Sequence, residues 1–352
     1  MTNKEKIRSQ YSWDDFKEIV EDNTENIDSL LSTAQQIKQK NFGNLIKVYI
    51  PGSKFPAISI TGDKCELNCE HCNKKYLKGM KAITSKKGLE AFLMEHYTND
   101  GVGVLISGGS LSDGSVPLID YLGVIKKVKE KTDLIINTHT GLLNEPTAQK
   151  LAEAGIDIVS FDINMDREII RDIYHLDKDL NDYKKAIELL KKYNLNIVPH
   201  ICVGLHYGSL RKELESLKYI KESEINPALI VLIVLIPPKN SKGRFETPTS
   251  NAIAKIIAIT RHMFPTTEIS LGCMRPRNKS RDSIEMKALK GGITRIEMPS
   301  KKVLKTFKKE KPQTEFQFFS ACCAVPVKFE KQIKMDNTEI TRRYKNINKP
   351  NV

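Results

Sequence analysis

The sequence predicts an α/β protein built as a (βα) barrel of the TIM type, fully or nearly closed. Three observations carry this. Short runs rich in β-branched residues alternate with amphipathic helical patterns along most of the 352 residues. The runs are apolar throughout instead of alternating with polar residues, which marks parallel strands buried on both faces. Six strand–helix units are clear and two more are weaker, close to the eight of a complete barrel. An open doubly wound sheet is the alternative architecture.

In chain order, residues 1–45 read as an N-terminal helical segment, with SWDDFKEIV followed by IDSLLSTAQQIKQKNFG and Gly43 as its stop. The barrel is expected over 46–310. Its clear strands are AISIT (57–61), VGVLIS (102–107), TDLIINT (132–138), IDIVSFD (156–162), NIVPHICV (196–203) and ALIVLIVLI (228–236). EISLG (268–272) and ITRIEM (293–298) are the two weaker ones. Helical patterns such as DYKKAIELLKKY and SNAIAKIIAITRHMF fill the gaps. Residues 311–352 are expected to form an extension laid against the barrel, with a Cys-Cys pair and a basic tail.

Composition narrows the class. Hydrophobic residues make up 40% of the chain and charged residues 28%, enough for one large core with little extended disorder. No apolar run reaches the ~20 residues that span a bilayer, and residues 1–16 carry no hydrophobic signal core. A cytoplasmic protein without membrane contact is the expectation. The net charge is +13, and residues 301–349 hold 13 Lys or Arg against 5 Asp or Glu. That excess suits an acidic partner, but it lacks the aromatic interleaving of a nucleic-acid site.

Seven cysteines stand at 65, 69, 72, 202, 273, 322 and 323. Cys65, Cys69 and Cys72 fall within TGDKCELNCEHC, just after the first clear strand, at the end of a barrel where active sites are built. Three thiolates on one loop can ligate three irons of a [4Fe–4S] cluster and leave the fourth iron open. A zinc site usually adds a second C-x2-C or H-x3-5-H pair, and none follows here.

C-x3-C-x2-C after the first strand resembles the signature of the radical S-adenosylmethionine (SAM) superfamily. The resemblance implies that the open iron binds the amino and carboxylate groups of SAM. Cleavage of SAM then yields a 5′-deoxyadenosyl radical. Ser107, Gly108 and Gly109 in LISGGS resemble the glycine motif that lets backbone approach SAM. Asp162 in SFDIN is the candidate for the SAM ribose. His139 in NTHTG is placed on the cofactor, and His200 is a further candidate to touch substrate or SAM. Tyr76 and Met80 are expected to pack under the cluster loop, with lining the pocket as the alternative, and Cys202 is expected to be a small core residue in a strand. His71 replaces the aromatic residue common before the last cysteine.

AISITGDKCELNCEHC, YLKGM, LISGGSLSDGSVPL, NTHTG, VPHICVGLH and LGCMRPR together are similar to biotin-synthase-like archaeal proteins that act as two-component lipoyl synthases. The likeness runs from about 55 to 300. It implies sulfur insertion into a protein-bound octanoyl chain, with sulfur drawn from a sacrificial second [4Fe–4S] cluster. Cys273, Cys322 and Cys323 are the candidate ligands of that cluster, with Ser320, Arg275 or Arg277 as a fourth. Implied partners are an octanoylated lipoyl carrier protein, a paralogous radical SAM chain and an electron donor such as ferredoxin. The cysteine motif found near the N-terminus of single-chain lipoyl synthases is absent before Cys65. Biotin synthesis, tRNA modification and a non-enzymatic zinc or nucleic-acid-binding protein stay open as alternatives.

Overall fold

The computed structural model describes residues 11–22, 26–239, 241, 243–336, 338, 340 and 344. Its strands are β1 (Leu45–Tyr49), β2 (Ala57–Ser59), β3 (Lys81–Ala82), β4 (Gly103–Ser107), β5 (Ile135–His139) and β6 (Ile158–Asp162). They continue with β7 (Ile197–Val203), β8 (Leu229–Val234), β9 (Glu268–Leu271), β10 (Arg295–Glu297) and β11 (Glu315–Phe319). All pair in parallel in the order β11-β1-β10-β9-β8-β7-β6-β5-β4-β2-β3.

That order forces the sheet to curl. β1 and β2 follow each other in the chain but stand eight strand positions apart, ~38 Å in a flat sheet at ~4.8 Å per strand. The Tyr49–Ala57 link has eight Cα steps and reaches ~29 Å at most. Bending the sheet into a nearly closed barrel brings its two ends within reach. All eight strands expected from the sequence are present, and β1, β3 and β11 are additional. The segment after residue 310 is therefore part of the sheet: β11 pairs along the whole of β1, from Leu45↔Glu315 to Tyr49↔Phe319.

Strand alternation sorts the core into two layers. Ile136, Val159 and Ile197 face the outer helices, whereas Ile135, Ile158 and Val198 face the barrel interior. Phe319, Ala321, Cys323, Ala324 and Val325 pack into that interior layer, so the chain beyond β11 enters the barrel. Two ends of the N-terminal helices carry the signals their sequences show. Ser12 and Asp15 form a capping box on α1 (Trp13–Glu21), and Gly43 ends α2 (Asp28–Phe42) with φ at +60°.

A buried ionic group ties the last segment down. Arg295 pairs with Glu268 and Glu330, and Lys47 reaches the same two carboxylates at 2.7 and 2.8 Å. Tyr49 donates to Glu330 at 2.7 Å, and Arg295 also donates to the carbonyls of Cys323 and Val325. Two cations balance two anions. Removing one partner leaves a buried charge uncompensated, which costs ~3–5 kcal/mol. An Arg295→Met protein should lose stability of that order in a urea titration and release the 321–325 loop to proteolysis.

Among the described residues no helix is long and apolar enough to cross a membrane. Residues 1–10, 23–25 and most of the basic tail after 336 lie outside the described residues.

Candidate active site at the barrel mouth

A cavity of about 540 Å³ opens at the C-terminal ends of the strands, within the size range of small-molecule sites. Cys65, Cys69 and Cys72, Ser107 to Gly109, His139 and Asp162 all line it. Cys273, Cys322 and Cys323 line the same cavity, arriving from the other end of the strand order. Both thiol sets, Ser107 to Gly109, His139, Asp162 and His200 thus face one space, whereas Ser320, Arg275 and Arg277 are not on its wall.

The loop after β2 is shaped to present its thiols. The Ser110 amide donates to Cys65 Sγ at 3.3 Å, and the amides of Lys74 and Tyr76 lie against the Cys72 sulfur. Asn73 and Lys74 adopt φ of 44° and 57°, a left-handed turn that aims those amides at the sulfur. Cys69 contacts the Tyr174 carbonyl at 3.6 Å. Burial, reinforced by charge on Cys72 and Cys65, pushes the Cys69 thiol up to about 12. Metal binding to this loop must therefore displace protons. A four-iron cluster takes one thiolate per iron, and this loop offers three.

Gly109 also has a packing role that the sequence does not show. A Cβ there would lie 2.1 Å from the Lys64 carbonyl oxygen and 2.6 Å from Cys65 Cβ. Its amide donates to Thr61 Oγ1 at 2.7 Å. The missing side chain lets the thiol loop pack on the end of β4. A Gly109→Ala change should displace Cys65 and cut iron incorporation, instead of sparing iron and weakening only SAM binding. Gly108→Ala, whose Cβ would meet Thr61 at 3.0 Å, should be milder. Iron analysis after anaerobic reconstitution of both variants checks the order.

Asp162 sits exposed to the cavity among three imidazoles. His139 and His200 have ring centroids 5.3 Å apart. Burial holds both below the ordinary histidine value, His200 at about 4, while the Asp162 carboxylate pulls each partly back up. His200 Nδ1 lies 3.0 Å from the Val198 carbonyl, which assigns the proton to Nδ1 and leaves Nε2 as an acceptor. Neutral rings suit a site that must not offer stray protons to a reactive carbon. His71, which stands where an aromatic residue is common, is also driven to about 4 by burial, and its buried Nδ1 has no partner. His262, on the outer helix layer, is likewise at about 4 through burial.

These shifts fix a pH dependence. An unfolded histidine titrates near ~6.5, so between ~6.5 and 4 the unfolded chain binds protons that the folded chain does not. Stability present above pH ~6.5 should be lost as pH falls towards 4. The urea midpoint of the metal-free protein should drop between pH 7 and 5, and His262→Gln should make the drop shallower.

Three expectations need correction. Cys202 lines the cavity because it shares the inward parity of His200 on β7. Tyr76 and Met80 also stand on the cavity wall. Two of the three proposed fourth ligands are already engaged. Ser320 donates to the Ile333 carbonyl at 3.2 Å, and Arg275 is spent on Glu285 and three carbonyls. Arg277 is exposed.

Residues 59–220, which contain the thiol loop and β4 to β7, match the Radical SAM superfamily. The match spans 162 of the chain's 352 residues, from 59 to 220. The chain is 22% identical over 255 residues to a biotin synthase of Geobacillus kaustophilus (strain HTA426), covering 71% of this chain and 73% of that one. It is 24% identical over 277 residues to a biotin synthase of Staphylococcus aureus (strain JH9), covering 75% and 78%. Among solved structures, a methylornithine synthase superposes with a TM-score of 0.60 at 17% identity, covering 81% and 82%. A maturase of the [FeFe]-hydrogenase gives 0.62 at 16%, covering 81% and 64%. At such identities the structural likeness establishes the fold. The radical SAM family implies a [4Fe–4S] cluster and SAM. The residues present fit both: three thiols with amides aimed at two of them, an open cavity, and Asp162 on its wall.

Proposed function

We propose that this radical SAM enzyme inserts sulfur into unactivated carbons of a protein-bound octanoyl chain, in the manner of a lipoyl synthase. The observation that supports the reading is a second set of three thiols, Cys273, Cys322 and Cys323, on the wall of the cavity lined by the first set. Hydrogen abstraction alone needs only the first set. A sulfur source beside the same cavity is what carbon–sulfur bond formation requires.

When bound, the first cluster with SAM supplies the 5′-deoxyadenosyl radical, and the second cluster supplies the sulfur. The protein's own share is positional. Asp162 is placed to accept from the ribose hydroxyls of SAM, and the neutral His139 and His200 flank it without adding charge. Apolar side chains such as Leu105, Val231 and Ile233 line the cavity for a hydrocarbon chain. The exposed lysines on α10 (Lys301–Glu310), which runs from the rim after β10, suit an acidic carrier domain. A paralogous radical SAM chain for the other sulfur and a ferredoxin-type donor complete the proposed partners.

The test is an anaerobic assay with SAM, reductant and octanoyl-peptide, with and without the candidate partner chain. Mass increases matching sulfur gain on the peptide are expected. 5′-Deoxyadenosine release with sulfur gain on dethiobiotin instead would return the reading to biotin synthesis.

A further inference from the structure

We propose that Glu297 is the fourth protein ligand of an auxiliary cluster held by Cys273, Cys322 and Cys323. This rests on the sulfur-insertion reading and completes its second site with a residue that the motifs do not mark.

The sheet brings the four residues to neighbouring strand ends. β9, β10, β1 and β11 lie side by side. Ile296 is level with Leu271, so Glu297 stands level with Gly272, next to Cys273. On its other side Tyr49 is level with both Glu297 and Phe319, and Cys322 and Cys323 follow shortly after Phe319. Arg295 and Glu297 are two apart on one strand and share a face. Arg295 uses that face to donate to the Cys323 carbonyl at 3.3 Å, so Glu297 is directed at the same loop.

A second observation is independent of this placement. Glu297 is only 4% exposed, and its Oε2 has no hydrogen-bond partner. The neighbouring Arg275 guanidinium bonds the Glu297 carbonyl at 2.7 Å and gives the carboxyl nothing. A buried polar atom left unpaired is costly and calls for an explanation. An iron held by the three thiols beside it provides one. A carboxylate oxygen among three thiolates would make one iron chemically distinct, because a hard donor replaces a soft one there.

The test uses the full chain with Cys65, Cys69 and Cys72 all replaced by Ala, so that only the second cluster remains. Reconstituted anaerobically with iron and sulfide, it should hold about four irons per chain. Mössbauer spectra should show one iron unlike the other three. Glu297→Gln, nearly isosteric, should leave the circular dichroism unchanged and open that iron, so mild oxidation takes the content from about four to about three with a three-iron EPR signal. Glu297→Cys should keep about four and remove the distinct iron from the spectrum. Spectra and oxidation behaviour identical in all three proteins would overturn the assignment of Glu297 while leaving the cluster in place. A parent protein that binds no cluster at all would instead overturn the sulfur-insertion reading, and this proposal with it.

Discussion

A Cys69→Ala protein should release no 5′-deoxyadenosine above background when given SAM and a strong reductant anaerobically. Cys69 is the middle thiol of a loop whose three sulfurs face one cavity, and no other thiol stands on that loop. Cys202, another thiol on the wall, sits on a strand and is driven upward mainly by burial, so it is a poor substitute. The loop around Cys69 is irregular, and the Cys69 side chain makes one weak contact, to Tyr174. Losing it should leave the barrel folded. Iron content should fall from roughly eight to roughly four per chain, the counts for two four-iron clusters and one. A Cys69→Ala protein that cleaves SAM at the parent rate would remove the first cluster from this loop.

A protein with Cys273, Cys322 and Cys323 all changed to Ala should show the opposite uncoupling. SAM cleavage should persist and the octanoyl chain should still lose hydrogen, but no sulfur should be gained. Iron content should again fall from roughly eight to roughly four. The fold should survive because the 321–325 loop is held through backbone: Arg295 grips the carbonyls of Cys323 and Val325, not the thiols. Full iron content, or continued sulfur transfer, would place the donor elsewhere. A Cys202→Ala protein is not a neutral control for this triple variant, since that side chain faces the cavity.

The strands were readable in the sequence wherever both faces are buried, because such strands must be apolar throughout. ALIVLIVLI and NIVPHICV admit little else. β1 was not, since LIKVY carries a lysine in its middle. Lys47 is tolerated only because Glu268 and Glu330 reach it across 221 and 283 residues, which no local pattern shows. β11 was hidden in the same way, as EFQFF makes sense as a strand only once β1 is beside it. The first thiol set was legible because its spacing is local. The contact of Gly109 with Lys64 and Cys65 was not legible, because a glycine announces a close approach but not to what. Glu297 was invisible, because a glutamate in ITRIEM reads as a strand-end charge until its orphaned oxygen is seen beside Cys323.

The central claim is that the sulfur delivered to substrate comes from the protein's own second cluster. Protein reconstituted with iron and ³⁴S-sulfide, freed of excess sulfide and supplied with SAM, reductant and octanoyl-peptide tests it most directly. The account predicts a product heavier by about two mass units per inserted sulfur than that of protein reconstituted with ordinary sulfide, formed in no more than a few turnovers because the donor is consumed. A product carrying ordinary sulfur, or sustained SAM cleavage with no sulfur in the product, would contradict it.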